Sequence, residues 1–131
     1  MKERKAFTLL ELLIVVIILG LLAVIAIPQY MESVQKAKEA SAKSNLQEIR
    51  KVAMAIQSAT GDWPDALDSG DGAGEVALDA DLDGDDETDV SLSFTDDDYD
   101  YSISGSDVTA SGSGATFVID LETGEITESD D

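Results

Sequence analysis

The feature that most constrains this chain is an unbroken apolar run over residues 12–27. Counted from Phe7, the stretch is 21 residues long. A helix of that length measures about 30 Å, close to the hydrocarbon thickness of a bilayer. Three basic residues outweigh one acid in the six positions before it, a bias that keeps the N-terminus on the cytoplasmic side. The sequence therefore predicts a membrane-spanning helix.

Glu11 is the one charged residue inside this apolar stretch. An uncompensated charge near the bilayer centre costs about 2.5 to 3.5 kcal/mol on insertion scales, so the carboxylate needs a partner. One interpretation places it in the first helical turns, where an acid complements the helix dipole. In the other, cleavage before Phe7 creates a free amine, and Glu11 pairs with that amine of its own or a neighbouring chain.

Residues 5–16, Lys-Ala-Phe-Thr-Leu-Leu-Glu-Leu-Leu-Ile-Val-Val, closely resemble the leader junction of type IV prepilins and type II secretion pseudopilins. The resemblance implies cleavage between Ala6 and Phe7 by a membrane prepilin peptidase. It also implies N-methylation of the new Phe7 amine and a contact between Glu11 and the Phe7 amine of an adjacent subunit.

The resemblance is strong over residues 5–28 and only architectural beyond them. Gly20 and Pro28 occupy the positions at which the family loosens its helix, whereas Ala6 stands where the family usually has glycine. The chain is accordingly predicted to comprise four parts: a leader peptide at 1–6, a transmembrane and assembly helix at 7–28, an amphipathic helix at 29–60, and an acidic β-rich head at 61–131.

Two other interpretations fit the N-terminus. The first is a conventional secretory signal peptide, whose basic start, apolar core and small-residue end are loosely imitated here. Against it, the apolar core is long, an acid precedes it, and the helical pattern continues past Pro28. The second is an ordinary single-span membrane anchor.

From residue 31 to residue 60 the apolar residues recur at three- and four-residue steps, which is typical of an amphipathic helix. The residues of this stripe are Val34, Ala37, Leu46, Ile49, Val52, Ala53 and Ile56. Gly61 and Pro64 supply stop signals. Residues 7–60 are therefore predicted to form one helix, its lower half covered by lipid before assembly and by other copies afterwards.

The predicted fold class is α+β, with the upper half of the long N-terminal helix packed against a small antiparallel β-sheet head. Strand-like segments are separated by Ser, Gly and Asp clusters and lie at 90–94, 99–103, 115–120 and 124–127. Residues 118–126 indicate a hairpin with a Gly-containing turn. Trp63 is predicted to pack where helix meets sheet, with a surface aromatic contact as the alternative.

Charge is distributed very unevenly along the chain. All eight basic residues lie at or before Lys51, and 23 of the 28 acidic residues lie after it. A head without Lys or Arg releases no counterions from phosphates, so it is predicted not to bind nucleic acid. Its acids favour instead a divalent cation, a saline medium or a solvated surface.

The segment 79–89 alternates carboxylates around Gly84, like the beginning of an EF-hand-type calcium loop. Its candidate ligands are Asp79, Asp81, Asp83, Asp85 and Asp89. Val90 stands at the twelfth position, where a bidentate Glu is expected. Calcium is therefore one hypothesis and a solvated acidic loop the other, and no cofactor is required. The triplet 96–98 is predicted to be solvated charge.

The chain contains no cysteine and no histidine, which excludes Ser/His/Asp and Cys/His nucleophile arrangements, and no paired acid and base suggests catalysis. The resemblance implies a structural subunit of a homo-oligomeric helical filament, served by a prepilin peptidase and a pilus assembly machinery. The precursor would lie in the inner membrane and the product in an extracellular pilus or a periplasmic pseudopilus. A pseudopilin, or a membrane-anchored calcium-binding or adhesive module that never polymerises, are the alternatives.

Overall fold

The computed structural model describes residues 7–64, 67–69, 75–80, 90–112 and 115–129. These residues form one helix, α1 (Leu9–Thr60), and seven strands. The chain divides into two compact units, Met1–Ala37 and Lys38–Asp131.

The first unit contains the N-terminal part of α1, residues 9–37, which is called the lower part below. The large apolar side chains of residues 9–31 are 48–84% exposed. The helix continues through Gly20 and Pro28, although Pro28 lacks an N–H and leaves the carbonyl of Val24 without its helical partner. By length and composition α1 is able to cross a membrane, and a signal sequence would satisfy the same two criteria.

The second unit combines residues 38–60 of α1 with two antiparallel sheets. The first sheet has the order β1 (Asp68–Ser69), β2 (Glu75–Ala80), β3 (Val90–Thr95). The second has the order β4 (Tyr99–Ser104), β5 (Asp107–Gly112), β6 (Thr116–Asp120), β7 (Ile126–Ser129). Within each sheet consecutive strands pair, as in a meander, whereas β3 and β4 belong to different sheets.

A single buried cluster joins the helix to the sheets. From α1 it receives Ala42, Leu46, Ile49, Ala53 and Ile56. The second sheet contributes side chains that alternate along its strands, among them Val108, Phe117 and Ile119. Trp63 is partly buried against the same cluster, as predicted. The predicted fold class, a long N-terminal helix with a small antiparallel sheet head, is confirmed.

Three strands were not predicted from the sequence. The predicted segments correspond to β3, β4, β6 and β7, the last lying two residues further along the chain, whereas β1, β2 and β5 were missed. In β5 only Val108 and Ala110 are buried, and the other residues are of types common in turns. Pairing with β4 and β6 therefore makes this segment a strand, rather than its own propensity.

The Asp96-Asp97-Asp98 turn is bound to α1, and the prediction of solvated charge is wrong for Asp96, which is partly buried, whereas Asp97 and Asp98 are exposed. Asp96 Oδ2 accepts a hydrogen bond from Asn45 Nδ2 at 3.0 Å and another from the Tyr101 hydroxyl at 2.6 Å. Asp98 pairs with Lys38 at 2.5 Å. Basic and amide side chains of the helix thus compensate acids of the head.

Tyr101 is expected to make the free energy of unfolding of the head fall at alkaline pH. Burial, followed by the hydrogen bond to Asp96, raises the pKa of Tyr101 above its ordinary value of 10.0. Since the folded pKa exceeds the unfolded one, the contribution of Tyr101 is complete below about pH 10 and declines as the pH rises further. We expect Tyr101→Phe to reduce this alkaline loss, measured by urea unfolding at about pH 8 and about pH 11. An equal loss in wild type and variant would contradict the assignment.

Arg50 of α1 is hydrogen-bonded to the turn between β6 and β7. Its Nε donates to the Leu121 carbonyl at 3.0 Å, and its Nη2 donates to the Glu122 carbonyl at 3.2 Å. Gly124 in this turn has φ of 77°, and a Cβ there would lie 2.8 Å from Arg50 Cζ. The positive φ therefore favours glycine here, and a Cβ would also displace the guanidinium from its hydrogen bonds.

Replacing Arg50 with Met is expected to lower the free energy of unfolding by about 1.5 kcal/mol, because two carbonyls lose charge-assisted donors. Lys51→Met is the matched control: it makes the same charge change at the next position, where the side chain is exposed and has no ion pair within the described residues. That control should change stability by no more than about 0.5 kcal/mol. Equal effects in urea unfolding would show that the Arg50 contacts do not stabilise the turn.

Candidate functional site

Phe7 and Glu11, two of the predicted processing and assembly residues, lie at the start of α1. Phe7 and Thr8 are non-helical, and the helix begins at Leu9. Phe7 is 80% exposed, and Glu11 lies in the first turn. Ala6, on the other side of the predicted cleavage point, lies outside the described residues.

Thr8 and Glu11 are joined by reciprocal hydrogen bonds. The Thr8 N–H and the Thr8 hydroxyl each donate to Glu11 Oε2 at 3.1 Å. The Glu11 N–H donates to Thr8 Oγ1 at 3.2 Å, and the Leu12 N–H donates to the Thr8 carbonyl at 3.3 Å. This is a capping box, with Thr8 as the N-cap and Glu11 three residues later.

The capping box was missed by sequence reasoning, although Thr-x-x-Glu before an apolar run is its signature. It explains how Glu11 is satisfied in the uncut chain, since two hydrogen bonds and the positive end of the helix dipole compensate its carboxylate. Both bonds end on Oε2, and Oε1 accepts no hydrogen bond from the described residues. Within the described part of the chain, one carboxylate oxygen therefore remains available to a further donor.

The other predicted assembly residues lie further along α1, apart from the capping box. Gly20 is in the helix interior, and a Cβ at this position would have no neighbour within 4 Å. Nothing among the described residues therefore requires glycine at position 20. Pro28 is likewise exposed within the helix.

The candidate calcium ligands fall largely outside the described residues. Asp79 lies in β2, whereas Asp81, Asp83, Asp85 and Asp89 belong to the part that is not described. Their segment connects Ala80 to Val90, which are paired across β2 and β3. Among the residues that are described, no group of three or more His, Cys, Asp or Glu could hold a metal ion. The calcium hypothesis stays a prediction.

Comparison with known proteins bears directly on the capped N-terminus. The family model described as the prokaryotic N-terminal methylation motif matches residues 1–27. A fimbrial protein of Pseudomonas aeruginosa is 45% identical over 53 residues, 40% of this chain and 34% of that protein. The type IV major pilin protein PilA of Myxococcus xanthus is 47% identical over 47 residues, 36% of this chain and 21% of that protein. Through this segment, the chain carries the N-terminal methylation motif and is similar to type IV pilins.

The likeness to this family is confined to a part of the chain. The type II secretion system core protein G of Pseudomonas aeruginosa is also similar, at 40% identity over 48 residues, 37% of this chain and 34% of that protein. The matched segments thus span about a third or less of these pilins and of the pseudopilin. No solved structure matches the chain significantly.

Proposed function

We propose that the chain is a structural subunit of a type IV pilus-like filament, inserted as a precursor, cut before Phe7, N-methylated and polymerised through the lower part of α1. The observation that carries this proposal is the apolar surface of residues 9–31, whose large side chains are 48–84% exposed in the single chain. A continuous apolar surface of this kind marks an interaction with lipid or protein. Lipid would cover it before assembly, and neighbouring helices afterwards.

Glu11 is the polar recognition group of this surface. Between residues 9 and 28 it is the only side chain that carries a charge or forms a hydrogen bond through oxygen or nitrogen. Its Oε1 would accept a hydrogen bond from the Phe7 ammonium of an adjacent subunit, while Oε2 stays in the capping box. An ionic hydrogen bond in apolar surroundings is stronger than in water. It would set the register at which otherwise featureless apolar helices pack.

A structural role also suits the described part of the head. The second sheet buries its apolar side chains against α1, and its opposite face is lined by Ser, Thr and Asp side chains such as Asp100, Thr109 and Thr116. The similar proteins named fimbrial protein and major pilin are structural subunits as well. A prepilin peptidase and an assembly machinery are the partners that this function requires.

The type II secretion pseudopilin is the second candidate, and the similarity to core protein G favours it. Immunogold electron microscopy of cells and of sheared material separates the candidates. Labelled fibres outside the cell would support a pilus, whereas labelled fibres confined to the periplasm would support a pseudopilus. A chain found only in the inner membrane, with no fibres, would contradict both and favour an anchored calcium-binding or adhesive module.

A further inference from the structure

We propose that Thr8 is a positioning residue for the cleavage before Phe7: its capping box with Glu11 starts α1 at Leu9 and leaves Phe7, the residue that follows the cleaved bond, outside the helix. The inference rests on the proposed function, because it concerns the same cleavage. Beyond the proposed function, it assigns a role to Thr8 and gives a physical reason why the bond before Phe7 is the one that is cut.

The leader contains no residue of low helix propensity. Residues 1–6, Met-Lys-Glu-Arg-Lys-Ala, all belong to the types with the highest helix propensity, and neither Gly nor Pro interrupts them. Once a helix exists, each further residue is added without a new nucleation cost. Near a membrane the unpaired N–H groups at the end of α1 would favour such an extension. A stop signal is therefore needed between the leader and α1.

The capping box supplies this stop signal. In a helix extended toward the leader, the Glu11 N–H would bond to the Phe7 carbonyl, four residues back. In the structure this N–H donates to Thr8 Oγ1 instead, and the Thr8 N–H donates to Glu11 Oε2. Two of the four N–H donors that would propagate the helix, those of Thr8 and Glu11, are thus occupied by side-chain oxygens. The backbone at Phe7 is non-helical.

A helical bond is a poor substrate for a peptidase, because its carbonyl and N–H are engaged and the segment must first unfold locally. Exposed, irregular backbone is the preferred site of proteolysis. The box therefore keeps the bond before Phe7 in a form that an active site can bind without unwinding α1. Cleavage leaves Thr8 and Glu11 in the product, so the same cap then begins the mature helix.

Thr8→Val tests this role, with Thr8→Ser as the matched control. Valine keeps the branched shape but loses the hydroxyl, whereas serine keeps the hydroxyl and hence the cap. Glu11 variants are less suitable, because they also remove the proposed partner of the Phe7 amine. The full-length chains would be incubated in membranes with prepilin peptidase, and leader removal would be followed by mass spectrometry.

We expect Thr8→Val to be cut about fivefold more slowly than wild type, the factor that a cap of ordinary strength gives in the capped population. Thr8→Ser should stay within about twofold of wild type. Amide hydrogen exchange in detergent micelles provides a second readout: protection should extend to Phe7 in Thr8→Val alone. If Thr8→Val were cut as fast as wild type, or exchange at Phe7 were unchanged, the inference would be overturned while the proposed function stood. If the wild-type chain itself were not cut before Phe7, the proposed function would fail as well.

Discussion

Replacement of Glu11 by Ala is expected to leave the chain in the membrane and to reduce its recovery in sheared fibres by at least about tenfold, the factor that corresponds to about 1.4 kcal/mol for each subunit contact. The large effect follows from the isolation of this carboxylate, which is the only charge on an apolar surface extending from residue 9 to residue 31. Without it, the Phe7 ammonium of the next subunit would have no ionic partner among apolar neighbours. The measurement is the ratio of chain in the sheared fraction to chain in the membrane, by immunoblot.

Glu11→Gln removes the charge of this side chain but keeps its ability to form the capping box. Glutamine also serves at this position of a capping box, so it can still accept the Thr8 N–H. We therefore expect Glu11→Gln to be cut at close to the wild-type rate and yet to enter fibres as poorly as Glu11→Ala. Normal incorporation of both variants would show that Glu11 is no assembly contact and that only apolar packing directs polymerisation.

Replacement of Phe117 by Ala is expected to cost the head about 3 to 5 kcal/mol of its free energy of unfolding, a large share of the stability of a small domain. Phe117 is fully buried in the cluster that joins α1 to the second sheet. Its ring lies 5.9 Å from the ring of Tyr99, and Lys43 Nζ lies 4.4 Å from its centroid. Truncation would leave a cavity beside Tyr99 and would remove the aromatic face beneath the Lys43 ammonium.

Val118→Ala is the matched control for Phe117→Ala. Val118 follows Phe117 on β6, and its side chain lies on the opposite, partly exposed face of the sheet. It should cost no more than about 1 kcal/mol. Unfolding of the full-length chain in detergent, followed by urea titration and the near-ultraviolet circular dichroism of the head aromatics, would compare the two. Equal losses would mean that Phe117 is not at the centre of the core.

The parts of the fold that were predicted correctly have local signals. The three- and four-residue spacing of Leu46, Ile49, Ala53 and Ile56 indicated one face of a helix, and these four residues are buried. The hairpin of β6 and β7 was indicated by alternation on both sides of a turn containing Gly124, which has a positive φ. Local periodicity and turn chemistry are visible within a short window of sequence.

The features that were missed depend on residues far apart in the chain. Asp96 lies in a triplet typical of solvated charge, and only the fold brings Asn45, 51 residues away, to its carboxylate. Arg50 and the Leu121 carbonyl are 71 residues apart, so the hydrogen bond between them has no local sequence signature. The capping box at Thr8 is different, because its two residues are only three positions apart. Its Thr-x-x-Glu signature is local and could have been predicted from the sequence.

The central claim, that this chain is processed before Phe7 and polymerised through its helix, is tested most directly by the N-terminal sequence and intact mass of the protein in fibres sheared from cells. Chains that begin at Phe7 and carry one additional methyl group on the N-terminal amine are the predicted result. Chains that begin at Met1, or at Ile27 after cleavage by a signal peptidase, with no fibres in the sheared fraction, would contradict it.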